Sequence, residues 1–255
     1  MERENMKTKI VSIINQKGGV GKTTTTYNLA SLYARDNKKV LVIDSDPQAS
    51  LTLMMGVNPL STDDNLSAVY GGKFIKECIY DSPVENLSYI PSCISLAKSE
   101  RDLQSVLMGR ELKIKKAIDE LNGIFDYIFI DCSPALGLLT INALVASDYV
   151  IIPCETTDLA LFGLDDMMDT IKTVQESNNK LNLLGIIATK YVSNSTSHNR
   201  VLNEMKENYT LLGAIKNSVS SQKGIEEGLP CVLYDPSSIV AKDYNTVYET
   251  LRKVM

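Results

Sequence analysis

The chain has 255 residues, 44% of them hydrophobic, and a net charge of −5. That length allows one large domain or two small ones with a sizeable core. No apolar run approaches the ~20 residues of a membrane-spanning helix, residues 1–8 lack the apolar segment of a secretion signal, and a lone His198 excludes a multi-histidine metal site.

The first apolar run, Ile10-Val11-Ser12-Ile13-Ile14, reads as a buried strand. It leads into Lys17-Gly18-Gly19-Val20-Gly21-Lys22-Thr23-Thr24 and then a helix-forming run that ends at Arg35. Val40 to Ile43 is a second buried strand, ending in Asp44-Ser45-Asp46-Pro47-Gln48. Residues 57–87 carry turn signals and little periodicity, as in a loose excursion. A short strand is expected over 87–91 and helices over 96–107 and 111–121. Tyr127 to Ile130 is a third buried strand, ending in Asp131-Cys132-Ser133-Pro134. Strand 150–153, helix 159–176, strands 183–188 and 211–215, and a last helix over 239–254 complete the order. Alternating strand and helix signals without a Pro/Gly/Ser-rich linker predict one α/β domain over 1–255, a mostly parallel twisted sheet with helices on both faces. Residues 1–8 form a short extension. Five scattered cysteines without C-x-x-C spacing read as reduced thiols of a cytoplasmic protein.

The loop after the first strand is close to an ordinary phosphate-binding loop, with Gln16 where its first glycine belongs. Glycines 18, 19 and 21 let backbone N–H groups turn inward around phosphate oxygens. The helix that starts near Lys22 adds free N–H groups and the positive end of its dipole. Lys22 is placed to reach β- and γ-phosphates, and the Thr23 hydroxyl to ligate Mg²⁺. Carboxylates at the ends of parallel strands face the crevice where such sheets take ligands, which makes Asp44, Asp46 and Asp131 candidates. Mg²⁺ needs only one or two carboxylates besides phosphates and waters. Lys17 has no part in the ordinary loop.

Lys17 to Thr24 resembles the deviant Walker A motif, KGGVGKTT, of the ParA/MinD family of ATPases, and Asp44 to Gln48 resembles that family's DxDPQ motif. The resemblance implies an ATP-dependent dimeric switch with Mg²⁺-dependent ATP hydrolysis, slow and partner-stimulated. Residues 17–24, Gly18 to Thr24 with Lys17, hold the nucleotide. Lys17 reaches the phosphates of the partner subunit's ATP, Lys22 serves its own, and Asp46 positions the attacking water. Thr23, Asp46 and Asp131 form the Mg²⁺ set, Asp44 supports it, and the stretch through Asn142 is a switch that senses the γ-phosphate.

Segment 228–244 is similar to the carboxyl-terminal pattern of ParA/Soj partition ATPases of the short type, which lack an amino-terminal helix-turn-helix domain. That implies nonspecific, nucleoid-associated DNA binding by the ATP dimer, a ParB-like centromere-binding partner, and no membrane. At net charge −5, DNA binding needs a local basic patch. Arg200, Lys206, Lys223, Lys242 and Arg252 are the candidates, with Lys216 and Lys253 beside them. Lys216 and Ser218 fall in the expected nucleobase loop, where Ile215-Lys216-Asn217-Ser218 departs from the family's Ile-Pro-Arg-Asn. Two alternatives stand beside partition. A MinD-like membrane regulator requires a basic amphipathic terminal helix, whereas here the outward face (Lys242, Asn245, Glu249, Arg252, Lys253) is mixed. A nucleotide-gated scaffold with negligible turnover leaves Asp46 without a purpose.

Overall fold

The computed structural model describes residues 7–218 and 227–255. Lys223 therefore lies outside the described residues. The elements follow as β1 (Lys9–Ile13), α1 (Lys22–Arg35), β2 (Val40–Ser45), α2 (Ser50–Met54), α3 (Leu66–Tyr70), β3 (Tyr80–Asp81), β4 (Leu87–Ile90), α4 (Leu96–Gln104), α5 (Lys113–Asp119) and β5 (Tyr127–Cys132). Then come α6 (Leu138–Ala146), β6 (Tyr149–Glu155), α7 (Asp158–Ser177), β7 (Asn182–Tyr191), α8 (Thr196–Asn208), β8 (Leu211–Lys216), α9 (Cys231–Tyr234) and α10 (Ile239–Leu251).

One eight-stranded sheet takes the order β3-β4-β2-β5-β1-β6-β7-β8. Every pairing is parallel except β3 with β4, a two-residue antiparallel edge. The α/β fold with helices on both faces is as the sequence predicts. Strand alternation sorts the core into two layers. Val40 and Val42 face α1, α9 and α10, whereas Leu41 and Ile43 face α3 to α8.

Several elements differ from the sequence reading. The excursion over 57–87 contains α3, a 3₁₀ turn at Ile75–Cys78 and the β3 edge. The helix expected over 96–107 stops at Gln104, and the one over 111–121 is split into a 3₁₀ turn (Arg110–Leu112) and α5. Helices α2, α6, α8 and α9 are additional. Apolar α6 (Leu138–Ala146) is hydrophobic nearly all round, so it offers no amphipathic period. Polar α8 carries an N-cap at Ser195, whose hydroxyl accepts from the His198 N–H, and a short apolar face of Val201, Leu202 and Met205.

The last helix docks on the first. Tyr244, Val247, Tyr248 and Leu251 are buried, the Tyr244 hydroxyl lies 3.1 Å from Thr25 Oγ1, and Arg35 donates to Asn245 Oδ1 at 2.9 Å. Its apolar face is therefore spent on the core. Among the described residues, no helix is long and apolar enough to cross a membrane.

Gly185 sits at φ +147° next to the irregular β6–β7 register. A Cβ there would run into the Thr210 carbonyl and lie 3.1 Å from Leu212 Cγ. Gly185→Ala is expected to cost about 2–4 kcal/mol through backbone strain and overpacking. In a thermal melt this is a fall in Tm of at least about 4 °C; an unchanged Tm contradicts the geometry.

Candidate nucleotide-binding site

The site is assembled at the carboxyl ends of β1, β2, β5, β6 and β7. Gly19 (φ +74°) and Gly21 (φ +93°) are left-handed, a conformation glycine adopts without steric cost. Gly21 is the N-cap of α1 and offers no side-chain cap, so the first N–H groups of α1 are left for a ligand. Gly18 is different: a Cβ there would meet nothing within 4 Å. Its smallness leaves open space in a cavity of about 350 Å³ lined by Gly18, Gly21, Lys22, Thr23, Asp46 and Pro134. The Thr189 hydroxyl of β7 donates to the Val20 carbonyl at 2.8 Å and ties the loop down from outside its own segment.

Lys22 is only 7% exposed, and its ammonium donates to the Lys17 carbonyl at 3.2 Å. Burial lowers its pKa, against the pull of Asp131 and Asp46. The carboxylates arrive by register. Asp44 and Asp131 are direct Cα partners in the β2–β5 pairing, and both have the parity of the strand positions that face α1. Thr26 on α1 donates to Asp131 Oδ1 at 3.3 Å. Asp131 Oδ2 is buried with no hydrogen-bond partner. Burial and the neighbouring Asp44 hold the Asp131 carboxyl well above the usual carboxylate range, while the nearby Thr23 side chain and Lys22 pull the other way.

That orphaned oxygen, beside Thr23 at the start of α1, fits a small hard cation that takes few protein ligands. Among the described residues no group of three or more His, Cys, Asp or Glu gathers around a metal position. Mg²⁺ draws most of its ligands from phosphates and waters.

Asp44 and Asp46 part company. Asp44 Oδ2 accepts from Thr52 N at 2.9 Å and Thr52 Oγ1 at 2.7 Å, and its Oδ1 accepts from Asp46 N at 3.2 Å. The Thr52 hydroxyl in turn accepts from Ser92 N, and Ser92 donates to the Asp46 carbonyl at 2.6 Å. Asp44 is thus a structural anchor of the acidic turn, and Asp46 is carried out to the cavity, where Oδ1 accepts from Gln48 N at 3.0 Å.

Lys17 stands at the rim, with its side chain 44% exposed, and ion-pairs with Glu155 at 2.5 Å. Lys190 pairs with the other Glu155 oxygen at 2.6 Å. Burial alone would raise the Glu155 carboxyl, but the two ammonium groups outweigh it and hold it below the usual range. Glu155, Lys190 and Thr189 were not found from the sequence. Glu155 had a signal, since it ends the apolar run of β6 as Asp44 and Asp131 end theirs.

A neighbouring cavity of about 270 Å³ extends past Gly21 and Thr24 to Lys190, Lys216, Ser218 and Tyr244. Lys216 and Ser218, the expected nucleobase-loop residues, thus line a cavity that adjoins the phosphate loop. Lys216 is pinned by Asp243, which accepts from its backbone N–H at 2.9 Å and its ammonium at 3.1 Å. Among the described residues, the basic DNA candidates are not gathered into one patch. Arg200 and Lys206 lie on α8, and Lys242 and Arg252 at α10 on the opposite face of the sheet. Arg200 pairs with Asp158 and Glu204, and Arg252 with Asp36 and Glu249.

Residues 8–183 match the family described as "AAA domain". Sporulation initiation inhibitor protein Soj of Bacillus subtilis is 36% identical over 254 residues, covering 92% of this chain and 95% of Soj. Chromosome-partitioning ATPase Soj of Treponema pallidum is 34% identical over 240 residues, covering 92% and 94%. The chain belongs to the ParA/Soj family of P-loop ATPases. Among solved structures, cobyrinic acid a,c-diamide synthase of Mycobacterium smegmatis, with bound ATP analog and magnesium, superposes with a TM-score of 0.83. It is 31% identical, and the match covers 96% of this chain and 95% of that one.

The buried carboxylates make stability depend on pH. Asp44 is raised from 3.8 to about 6 by burial, so the folded state holds a proton there that the unfolded chain has lost. This opposes folding increasingly as pH rises from about 4 to about 6. Asp44→Asn keeps an acceptor for Thr52 and removes the titration. Between pH 4.5 and 6.5 its Tm should vary measurably less than that of the unmodified, nucleotide-free protein; equal slopes contradict the assignment.

Proposed function

We propose that this ParA/Soj-family ATPase is an ATP-gated dimeric switch of the DNA-partition type. The observation that carries the proposal is the contrast between the two loop lysines. Lys22 is withdrawn from water inside its own subunit's phosphate cavity, whereas Lys17 stands half exposed at the rim. A cation at the rim is positioned to meet a second nucleotide presented by a second copy of the chain.

Lys22, the glycine loop and the start of α1 bind the triphosphate of ATP. Thr23 and Asp131, with Asp46 close by, hold Mg²⁺, which on binding screens the phosphate charge. Asp46, exposed to the cavity and oriented by the Asp44–Thr52–Ser92 chain, places the attacking water in line with the γ-phosphate. Pro134 lines the same cavity, so the segment that follows Asp131 can register whether the γ-phosphate is present. An ATP-held dimer doubles any basic surface, which is how a chain of net charge −5 gathers the phosphate contacts that DNA binding requires. The partition relatives support a DNA cargo and a ParB-like partner that stimulates turnover. The buried apolar face of α10 weighs against the membrane alternative.

The test is retention on nonspecific duplex DNA with ATP, ADP or no nucleotide. Retention is expected with ATP alone and should fall by at least about tenfold between 50 and 200 mM salt. Asp46→Ala should slow hydrolysis by at least about 100-fold, the scale of a lost catalytic carboxylate, and prolong ATP-dependent retention. Equal retention in all three nucleotide states contradicts the switch, and binding to anionic vesicles without DNA retention favours the membrane reading.

A further inference from the structure

Glu155 has two partners where one would suffice. It closes β6 as a buried carboxylate, with Lys17 on one oxygen and Lys190 on the other. Lys190 is held there at some conformational cost. Its φ of +52° is left-handed, a region a long side chain seldom enters. The β7–β8 register is broken between Ala188 and Tyr191, the stretch that contains it. The result is an ammonium group over the phosphate loop, with Lys190 Nζ 4.0 Å from where a Cβ on Gly19 would stand.

The second partner acquires a purpose if Lys17 must leave. On the dimer reading proposed above, on which this inference rests, Lys17 abandons Glu155 for phosphates in the partner subunit. A buried carboxylate deprived of its only counter-ion is strongly destabilising, because no water replaces what was lost. Here the arriving ligand is also a polyanion, so an unpaired Glu155 would repel the group that Lys17 is leaving to bind. The ion pair with Lys190 survives that departure.

We propose that Lys190 is a positioning residue for dimerisation: it keeps Glu155 neutralised when Lys17 is released, and so sets the nucleotide concentration at which two subunits associate. Glu155 acts as the latch on Lys17, and Lys190 as the counter-ion that allows the latch to open. Lys17 and Lys190 then differ in kind, one a reagent of the interface and the other a fixture of its own subunit.

The experiment is sedimentation velocity during titration with a non-hydrolysable ATP analogue. Lys190→Met should raise the analogue concentration for half-dimerisation by at least about tenfold, and Lys190→Arg should restore it. Glu155→Gln should lower it, and Glu155→Gln with Lys190→Met should return to the unmodified value or below, since no charge then needs a partner. Thermal melts of each variant establish that the fold is kept. A Lys190→Met midpoint within about twofold of the unmodified protein overturns the proposal. So does a double variant as impaired as Lys190→Met alone, which would mean that Lys190 touches the nucleotide directly. Lys17→Ala separates the two levels. If it fails to dimerise while Lys190→Met is normal, only the Lys190 inference falls; if it dimerises normally, the underlying reading falls with it.

Discussion

Lys22 is a cation withdrawn from water, and much of the site follows from how that is made tolerable. Its ammonium is held by the Lys17 carbonyl and faces Asp131 and Asp46, while burial draws its pKa down. The carboxylates share the strain, since Asp44 and Asp131 lie side by side at the ends of adjacent strands with their protons held too tightly. Too few positive charges serve too many buried negative ones in this arrangement. A divalent cation beside the unpartnered Asp131 Oδ2, with triphosphate oxygens beside Lys22, supplies both missing complements. The loop is therefore shaped by charge for a divalent cation and a triphosphate.

A second balance of charge operates at the rim. Glu155 is buried but carries two lysines, and the one it holds at the open edge is Lys17. The inner balance concerns one subunit and its nucleotide; the outer concerns whether a loop residue stays at home. The two are joined through the loop backbone, because the Lys17 carbonyl that receives Lys22 belongs to the residue whose side chain Glu155 retains. On the proposed reading, a move of Lys22 onto phosphates would loosen one of the contacts that orient Lys17.

Much of this was legible in the sequence because local patterns dictate it. Apolar runs of four or five residues marked β1, β2 and β5, and the polar residue that ends each run marked the ligand crevice. Glycines 19 and 21 are demanded by left-handed backbone within the loop itself. What escaped notice comes from other parts of the chain. Thr189 and Lys190 approach the loop only because β6 pairs with β1 and β7 with β6 in the sheet, and Thr52 and Ser92 reach Asp44 and the Asp46 carbonyl across 8 and 46 positions of sequence. Helix α6 was missed because burial on nearly all sides erases periodicity. The scattered surface lysines carry no spacing rule at all, and the fold divides those described between opposite faces of the sheet.

If a γ-phosphate, rather than nucleotide as such, brings two copies of this chain together, its oligomeric state should follow the third phosphate. Sedimentation velocity of the unmodified protein with Mg²⁺ and either a non-hydrolysable ATP analogue, ADP or no nucleotide tests it directly. A dimer is expected with the ATP analogue and a monomer in the other two states. A monomer in all three, or the same dimer in all three, would contradict it.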